Sequence, residues 1–284
     1  MITLKIIKTI AEMRDIIGHL KRDGKSIALV PTMGYFHEGH LSLIREARKK
    51  CDVLVVSIFV NRTQFGAGED YEHYPRDMER DANLAKMEKV DFIFAPDAEE
   101  MYPSGYASFV EVEGLGKIMC GKTRPIHFRG VTTIVMKLFN LIQPDMAYFG
   151  QKDAQQAVII RKMASDLNMN VEIRVLPIVR EEDGLAMSSR NEYLNDEERK
   201  SATIIYKALL KAKEEIAKGK KNADEIREIV TKMLESERLA RLDYITIVDP
   251  KNLREVTSID KPVLIAIAVW FGKTRLIDNI IVNP

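Results

Sequence analysis

Cysteine is scarce in this sequence, and its two cysteines belong to no recognisable motif. Cys51 and Cys120 are the only thiols among 284 residues. They have neither the spacing of a zinc site nor the number needed for a disulfide framework. The N-terminal residues also lack the basic start and long apolar centre of a signal peptide. We therefore expect reduced thiols and a cytoplasmic protein.

A charge excess and long apolar runs are missing as well. Lys and Arg together number 43 and Asp and Glu 42, so the formal net charge is only +1. No large field of one sign is available to attract nucleic acid or a membrane surface. The longest unbroken apolar run, residues 263–271, has nine residues, whereas a membrane-spanning helix needs about 20. We therefore expect small-molecule partners, with no nucleic acid and no membrane.

Candidate strands and helices alternate along the first 180 residues. The candidate strands are residues 27–30, 53–60, 92–95, 109–112, 146–149 and 171–179. Helical periods lie between them, near residues 8–22, 40–50, 78–88, 130–142 and 153–167. This alternation predicts βαβ units and an α/β fold, with a Rossmann-like, mainly parallel sheet that carries helices on both faces.

The pattern changes near residue 183. Charged helices are predicted over residues 195–219 and 223–237, and strands over 244–248, 263–271 and 275–282. Helices followed by a strand meander are typical of a small α+β domain. We therefore predict a Rossmann-like first domain over residues 1–182 and a smaller α+β domain over 183–284 that covers the active site.

The ten residues 31–40, PTMGYFHEGH, lie between a predicted strand and a predicted helix. A glycine-bearing turn at this position can offer free backbone N–H groups and the positive end of the helix dipole to a phosphate. His37 and His40, three residues apart, lie on one face of the first helical turn. The segment therefore predicts a nucleotide site. In the alternative interpretation, the imidazoles only cap the helix.

Glutamine is rare, and it is concentrated where predicted strands end. The chain has five glutamines. Gln64 follows the strand at 53–60, and Gln151, Gln155 and Gln156 follow the strand at 146–149. Ligands of parallel sheets bind beyond the carboxyl ends of the strands. Because an amide both donates and accepts hydrogen bonds, these side chains suit a polar, uncharged group such as a hydroxyl.

Several motifs follow one another in order along the chain: LVPTMG at 29–34, HEGH at 37–40, SIFVN at 57–61, QF at 64–65, YPR at 74–76, HFRGV at 127–131, FGQKD at 149–153, MSSRN at 187–191 and RLIDN at 275–279. In this order they resemble the pantothenate synthetase (pantoate–β-alanine ligase) family over essentially the full chain. This family is itself similar to the class I aminoacyl-tRNA synthetase/nucleotidyltransferase superfamily.

The resemblance implies an ATP-dependent ligase with Mg²⁺, commonly a homodimer. ATP and pantoate would give pantoyl adenylate and pyrophosphate, and β-alanine would then displace AMP to form pantothenate. One alternative is a nucleotidyltransferase of the same superfamily acting on another small acceptor. Such an enzyme should carry extra Arg or Lys at the acceptor pocket, where Gln64 and Gln156 are expected here. A non-catalytic nucleotide sensor or RNA-binding module is the third possibility.

The resemblance also implies individual roles. His40, His37, Lys152 and Arg190 would be catalytic, and Gln64 and Gln156 would bind pantoate and β-alanine. The ATP site would consist of Met33, Gly34, Tyr35, Phe36, His37, Glu38, Gly39, His40, Gly150, Gln151, Lys152, Asp153, Val179, Met187, Ser188, Ser189 and Arg190. Alternatives stay open at three positions, because Asp153 could be a helix N-cap and Ser188 and Ser189 ordinary turn residues. The metal ligands are unknown, with Asp81 as a candidate.

Overall fold

The computed structural model describes residues 4–284 and divides into two compact units. The first contains the residues up to 150 together with 159–176, and the second contains 151–158 and 177–284. The predicted domain boundary after residue 182 stays a prediction. Among the described residues, no helix is long and apolar enough to cross a membrane.

The first unit is built on a six-stranded sheet in which every neighbouring pair is parallel. This confirms the predicted Rossmann-like sheet. Its strands are β1 (Lys5–Ile7), β2 (Ile27–Thr32), β3 (Val53–Ile58), β4 (Phe92–Phe94), β5 (Met146–Gly150) and β6 (Glu172–Leu176), in the order β1-β4-β3-β2-β5-β6. The helices along this part of the chain are α1 (Ile10–Arg22), α2 (Glu38–Arg48), α3 (Met78–Met87), α4 (Ala98–Met101), α5 (Cys120–Thr123), α6 (His127–Ile142) and α7 (Ala154–Asp166).

Alternating residues of the central strands belong to two different hydrophobic cores. Ile27 and Leu29 pack with α1 and α6 on one face, whereas Ala28 and Val30 pack with α2 on the other. Because successive side chains of a strand point to opposite faces, β2 is covered by helices on both sides. This explains the continuous apolar sequence of β2 and β3.

The order of the sheet reverses between β2 and β5, and these two strands pair over a short length. β2 pairs with β3 through six residues, but among the described residues its register with β5 contains only Ala28↔Met146 and Leu29↔Ala147. Both strands continue beyond that pairing towards their carboxyl ends, at Thr32 and Gly150. Such a switch point opens the crevice in which ligands of open α/β sheets bind.

One strand prediction for the first unit was wrong, and one strand was missed. Residues 109–112 form no strand, because helix α6 binds their backbone instead: Val110 N–H donates to Thr133 Oγ1 at 3.0 Å, and Val110 O accepts from Thr132 Oγ1 at 2.6 Å. The edge strand β1 was not predicted. Its three residues are too few to show a period and are ordered by pairing with β4.

The second unit contains the antiparallel sheet β7 (Ala240–Val248), β8 (Val263–Phe271) and β9 (Thr274–Val282), which confirms the predicted meander. Its helices are α8 (Asp196–Ser201), α9 (Ile204–Ala217) and α10 (Ala223–Glu235), and α9 and α10 share a core with alternating residues of β8. The single helix predicted over 195–219 is interrupted between α8 and α9. There the Thr203 hydroxyl donates to Lys200 O at 2.9 Å and competes with the helical ladder.

Candidate active site

The turn between β2 and α2 depends on a glycine. Gly34 has φ +88°, a left-handed conformation that L side chains rarely adopt. A Cβ at this position would lie 2.9 Å from Ile58 Cγ2 and 3.0 Å from Asp81 Oδ2. The next residue, Tyr35, also has a positive φ of 53°. A turn this tight needs support from outside the segment.

Asp81, on helix α3, supplies that support. Its side chain is 1 % exposed and accepts the N–H groups of Tyr35 at 2.6 Å and Phe36 at 2.7 Å, while Thr32 Oγ1 accepts the N–H of Gly34 at 3.1 Å. Burial raises the pKa of the Asp81 carboxyl, and the two N–H groups oppose that change. The expectation of free N–H groups in this turn was therefore wrong for three residues. With both oxygens engaged, Asp81 is also poorly suited to bind magnesium.

His37 and His40 cap helix α2 through their imidazole rings. The Gly39 N–H donates to His37 Nδ1 at 3.1 Å, the His37 N–H donates to His40 Nδ1 at 3.3 Å, and the ring centroids are 4.1 Å apart. The capping interpretation therefore describes real hydrogen bonds. It is compatible with phosphate binding, because a neutral imidazole that accepts at Nδ1 carries its proton on Nε2. That Nε2–H is a donor for an anion.

Gln64 lies in the 3₁₀ turn after β3, in contact with Met33. Its side chain is 8 % exposed, and its Nε2 donates to Met33 Sδ at 3.1 Å. Asn61 Nδ2 donates to Gln64 Oε1 at 3.1 Å, and Tyr102 OH donates to Asn61 Oδ1 at 2.8 Å. The structure thus brings together two of the predicted site residues, Met33 and Gln64, and orients the amide through Asn61.

The main chain of Gln64 is held from a different direction. Its carbonyl oxygen accepts from His127 Nδ1 at 2.9 Å and from Arg124 Nη2 at 3.3 Å. Arg124 also forms an ion pair with Glu69 at 2.5 Å. Burial opposes a low pKa at Glu69, but the Arg124 guanidinium lowers it below its usual range. The carboxylate therefore stays ionised and keeps Arg124 beside Gln64.

Replacing Gly130 with alanine is expected to displace Gln64. A Cβ at Gly130, on helix α6, would lie 2.4 Å from Thr63 O and 2.5 Å from Gln64 N. We expect a cost of about 1–3 kcal/mol in the free energy of unfolding, measured by denaturant unfolding. We also expect a raised KM for pantoate, the substrate that the family resemblance implies, measured by steady-state kinetics. Gly18→Ala is the matched control, since its nearest neighbour is 3.5 Å away on a flexible side chain. An unchanged pantoate KM in Gly130→Ala would contradict the expectation.

In the second unit, the predicted residues Gln151 to Asp153 form a 3₁₀ turn directly before α7. The side chain of Asn279, on strand β9, donates to the carbonyls of both Gln151 and Lys152. Lys152 Nζ lies 3.7 Å from Asp153 Oδ2. Gln156 is half-buried in the first turns of α7. Both roles of Asp153, in the ATP site and as an N-cap of α7, stay predictions.

Val179 and Met187 face each other across a short hairpin. The Met187 N–H donates to Val179 O at 3.0 Å, so the carbonyl of this predicted ATP-site residue already accepts one hydrogen bond. The adjacent Arg180 forms a two-point ion pair with Asp278, at 2.6 and 3.0 Å, and lies 3.8 Å above the Tyr206 ring. Burial raises the pKa of the Asp278 carboxyl, and Arg180 opposes that change.

The predicted ATP-site segment that starts at Met187 continues from this hairpin into a 3₁₀ turn over Ser189–Tyr193. Ser188 caps the turn by accepting the Arg190 N–H at 3.3 Å, and Ser189 is 6 % exposed. Asn191 Nδ2 donates to Glu181 Oε1 at 2.9 Å and ties the loop to the hairpin. Ser188 therefore has the structural role considered as its alternative, while Arg190 stays a candidate phosphate ligand.

Sequence reasoning did not assign the residues that support these segments. His127 and Asn279 lie in the HFRGV and RLIDN motifs, which match the family but assign no function to either residue. Asn61 was visible as a polar residue after β3. Arg124 and Asp81 carry no motif signal for the contacts they make, since those contacts are with residues 45 to 60 positions away.

Comparison with known proteins gives a consistent result. A protein-family sequence model described as pantoate-beta-alanine ligase matches residues 5–281. A pantothenate synthetase from Acetivibrio thermocellus is 56 % identical over 280 residues, which cover 99 % of this chain and 100 % of the relative. A second one, from Caldicellulosiruptor bescii, is 54 % identical over 278 residues, covering 98 % and 99 %.

Two solved structures also match over nearly the whole chain. The crystal structure of pantothenate synthetase from Thermus thermophilus has a TM-score of 0.94 at 44 % identity and covers 99 % of this chain and 100 % of its own. The pantoate-beta-alanine ligase from Francisella tularensis, complexed with beta-gamma ATP and β-alanine, has a TM-score of 0.81 at 33 % identity and covers 98 % and 97 %. The resemblance inferred from the ordered motifs is therefore confirmed, and the chain belongs to the pantoate–β-alanine ligase family.

Proposed function

We propose that this chain joins pantoate and β-alanine in two steps. The pantoate carboxylate attacks the α-phosphorus of ATP, which forms pantoyl adenylate and releases pyrophosphate. The β-alanine amine then attacks the acyl carbon, AMP leaves, and pantothenate is formed. The observation that carries this proposal is the family match over residues 5–281. The capped turn of His37 and His40 supports it, because both rings accept at Nδ1 and carry Nε2–H as a donor for the phosphates.

The first step needs charge stabilisation rather than a base. A carboxylate is already ionised at neutral pH. Negative charge on the phosphates would be stabilised by Nε2–H of His37 and His40, by the N-terminus of α2, and by the cations Lys152 and Arg190. The catalytic roles of all four residues rest on the family resemblance. For the two histidines, the hydrogen bonds accepted at Nδ1 give further support, because they assign the ring proton to Nε2.

The second step needs β-alanine as a free amine beside the acyl adenylate. We propose that Gln64 and Gln156 bind the hydroxyl and carboxylate groups of pantoate, with Gln64 also next to β-alanine. The support for Gln64 is its orientation, since Asn61 occupies the amide oxygen and two donors hold the main-chain carbonyl. A fixed amide selects a hydroxyl-bearing substrate over one that is merely the same size.

Three further elements of the proposal rest on the family resemblance: Mg²⁺, a homodimer and a cytoplasmic location. Mg²⁺ bound to ATP would neutralise phosphate charge. The phosphates would supply most of its ligands. That arrangement fits this chain, because the described part contains no group of three or more His, Cys, Asp or Glu side chains suited to a metal ion.

The proposed function is tested by pantoate-dependent exchange of pyrophosphate into ATP, with Mg²⁺ present and β-alanine absent. We expect exchange, because the adenylate forms reversibly on the enzyme. Adding β-alanine should then release AMP and pantothenate in equal amounts. Folded, ATP-binding protein that shows no exchange would remove the two-step mechanism and favour nucleotidyl transfer to another small acceptor.

A further inference from the structure

Asn279, on strand β9, makes three hydrogen bonds to the turn that carries Lys152. Its Nδ2 donates to Gln151 O at 2.9 Å and to Lys152 O at 3.0 Å, and its Oδ1 accepts from Gln151 Nε2 at 3.2 Å. The residue is 3 % exposed. A buried amide with its donors on consecutive carbonyls of a turn fixes the path of that turn.

The chemistry of an amide is needed at this position. Two N–H donors on one nitrogen can reach two carbonyls while the oxygen of the same group accepts a third hydrogen bond. An aspartate would keep the acceptor but place a carboxylate against two carbonyl oxygens. A leucine of similar size would leave all three polar groups of the turn unpaired.

The strand that presents Asn279 is itself held in place. The preceding residue, Asp278, is 3 % exposed, pairs with Arg180 and accepts the Asn279 N–H at 2.7 Å. In the sheet, Asn279 lies opposite Ala266 of β8. Position 279 is therefore fixed by the ladder with β8 and by the Arg180–Asp278 ion pair.

We propose that Asn279 is a positioning residue for Lys152 in the ligase reaction. This inference rests on the proposed function, in which the ammonium group of Lys152 stabilises phosphate charge. Asn279 acts through the backbone of Gln151 and Lys152 and does not itself meet the substrate. Electrostatic stabilisation depends on placing the charge before the reaction, and a misplacement of about 1 Å can cost up to about 100-fold in rate.

The test is a mutant cycle on the full-length enzyme. Asn279→Ala, Lys152→Ala and the double variant are compared with the wild type by kcat and by KM for ATP in the exchange assay. We expect Asn279→Ala to lower kcat about tenfold or more with a smaller change in KM for ATP. The double variant should be no slower than Lys152→Ala alone, because Asn279 affects the rate only through the position of Lys152.

The controls separate positioning from general damage. Asn252→Ala removes an exposed amide that caps a surface turn of the same unit, and it should leave kcat unchanged. If Asn279→Ala does not fold, Asn279→Ser repeats the cycle with one hydroxyl donor retained. Two results would overturn the inference. One is a double variant in which the separate reductions in kcat multiply, and the other is a wild-type kcat in Asn279→Ala. An inactive wild type would instead overturn the proposed function.

Discussion

Replacing His40 with alanine is expected to slow adenylate formation by about 10²–10³-fold, the cost of losing one donor to developing negative charge. The same change should lower the free energy of unfolding by about 1 kcal/mol, because the His37 N–H loses its capping acceptor. The rate is measured by pyrophosphate exchange and the stability by denaturant unfolding. These two effects can be separated, because they arise from different nitrogen atoms of one ring.

Asparagine and glutamine at position 40 distinguish capping from catalysis. The oxygen of His40→Asn can take the place of Nδ1 and keep the cap, but it offers nothing in place of Nε2–H. The longer His40→Gln can place an amide N–H near the position of Nε2. We therefore expect His40→Asn to be stable and slow, and His40→Gln to recover part of the rate. His19→Ala removes an exposed imidazole of α1 and serves as the control. A wild-type rate in His40→Asn would show that His40 only caps the helix.

Asp81→Ala is expected to destabilise the protein by about 2–5 kcal/mol, because it leaves the N–H groups of Tyr35 and Phe36 without their acceptor. The strained turn should then relax, and KM for ATP should rise. Denaturant unfolding measures the first effect and steady-state kinetics the second. Asp81→Asn keeps the volume but turns an NH₂ group towards one of the two donors, so most of the loss should remain.

Glu79→Ala is the matched control for Asp81, since it removes an exposed carboxylate two residues earlier on α3. Its effect on stability should lie within about 0.5 kcal/mol. If Asp81→Ala were as stable as Glu79→Ala, the turn would not depend on the carboxylate. The left-handed conformation of Tyr35 would then need another explanation.

The sequence predicted those elements whose pattern is local. The run of β-branched residues at 53–58 identified the central strand β3, because burial on both faces removes any need for polar residues. The segment FVEV at 109–112 gave a wrong prediction, since two threonines of α6 take the hydrogen bonds that a neighbouring strand would have supplied. A local sequence pattern does not identify hydrogen-bond partners that lie far away in the chain.

The same limit applies to the site. Gln64 could be singled out because glutamine is rare and follows a strand. The contacts that hold its main-chain carbonyl come from Arg124 and His127, about 60 residues later, and no periodicity indicates them. Asp81 was only a candidate metal ligand, and no local pattern in the sequence indicates its role. Only its distances to the turn show that it holds the backbone.

The neighbouring residues Asp278 and Asn279 can both reach their partners only while the register of the β8–β9 hairpin is kept. Side chains of consecutive strand residues project to opposite faces, so one residue serves Arg180 and the next serves the Lys152 turn. The connection between the strands is the dipeptide Gly272-Lys273. An insertion of one residue there that slipped β9 along β8 would exchange the two faces and turn each side chain away from its partner. A slip of two residues would restore the faces but would move Asn279 away from its place opposite Ala266, so the turn of Lys152 would again lose its partner.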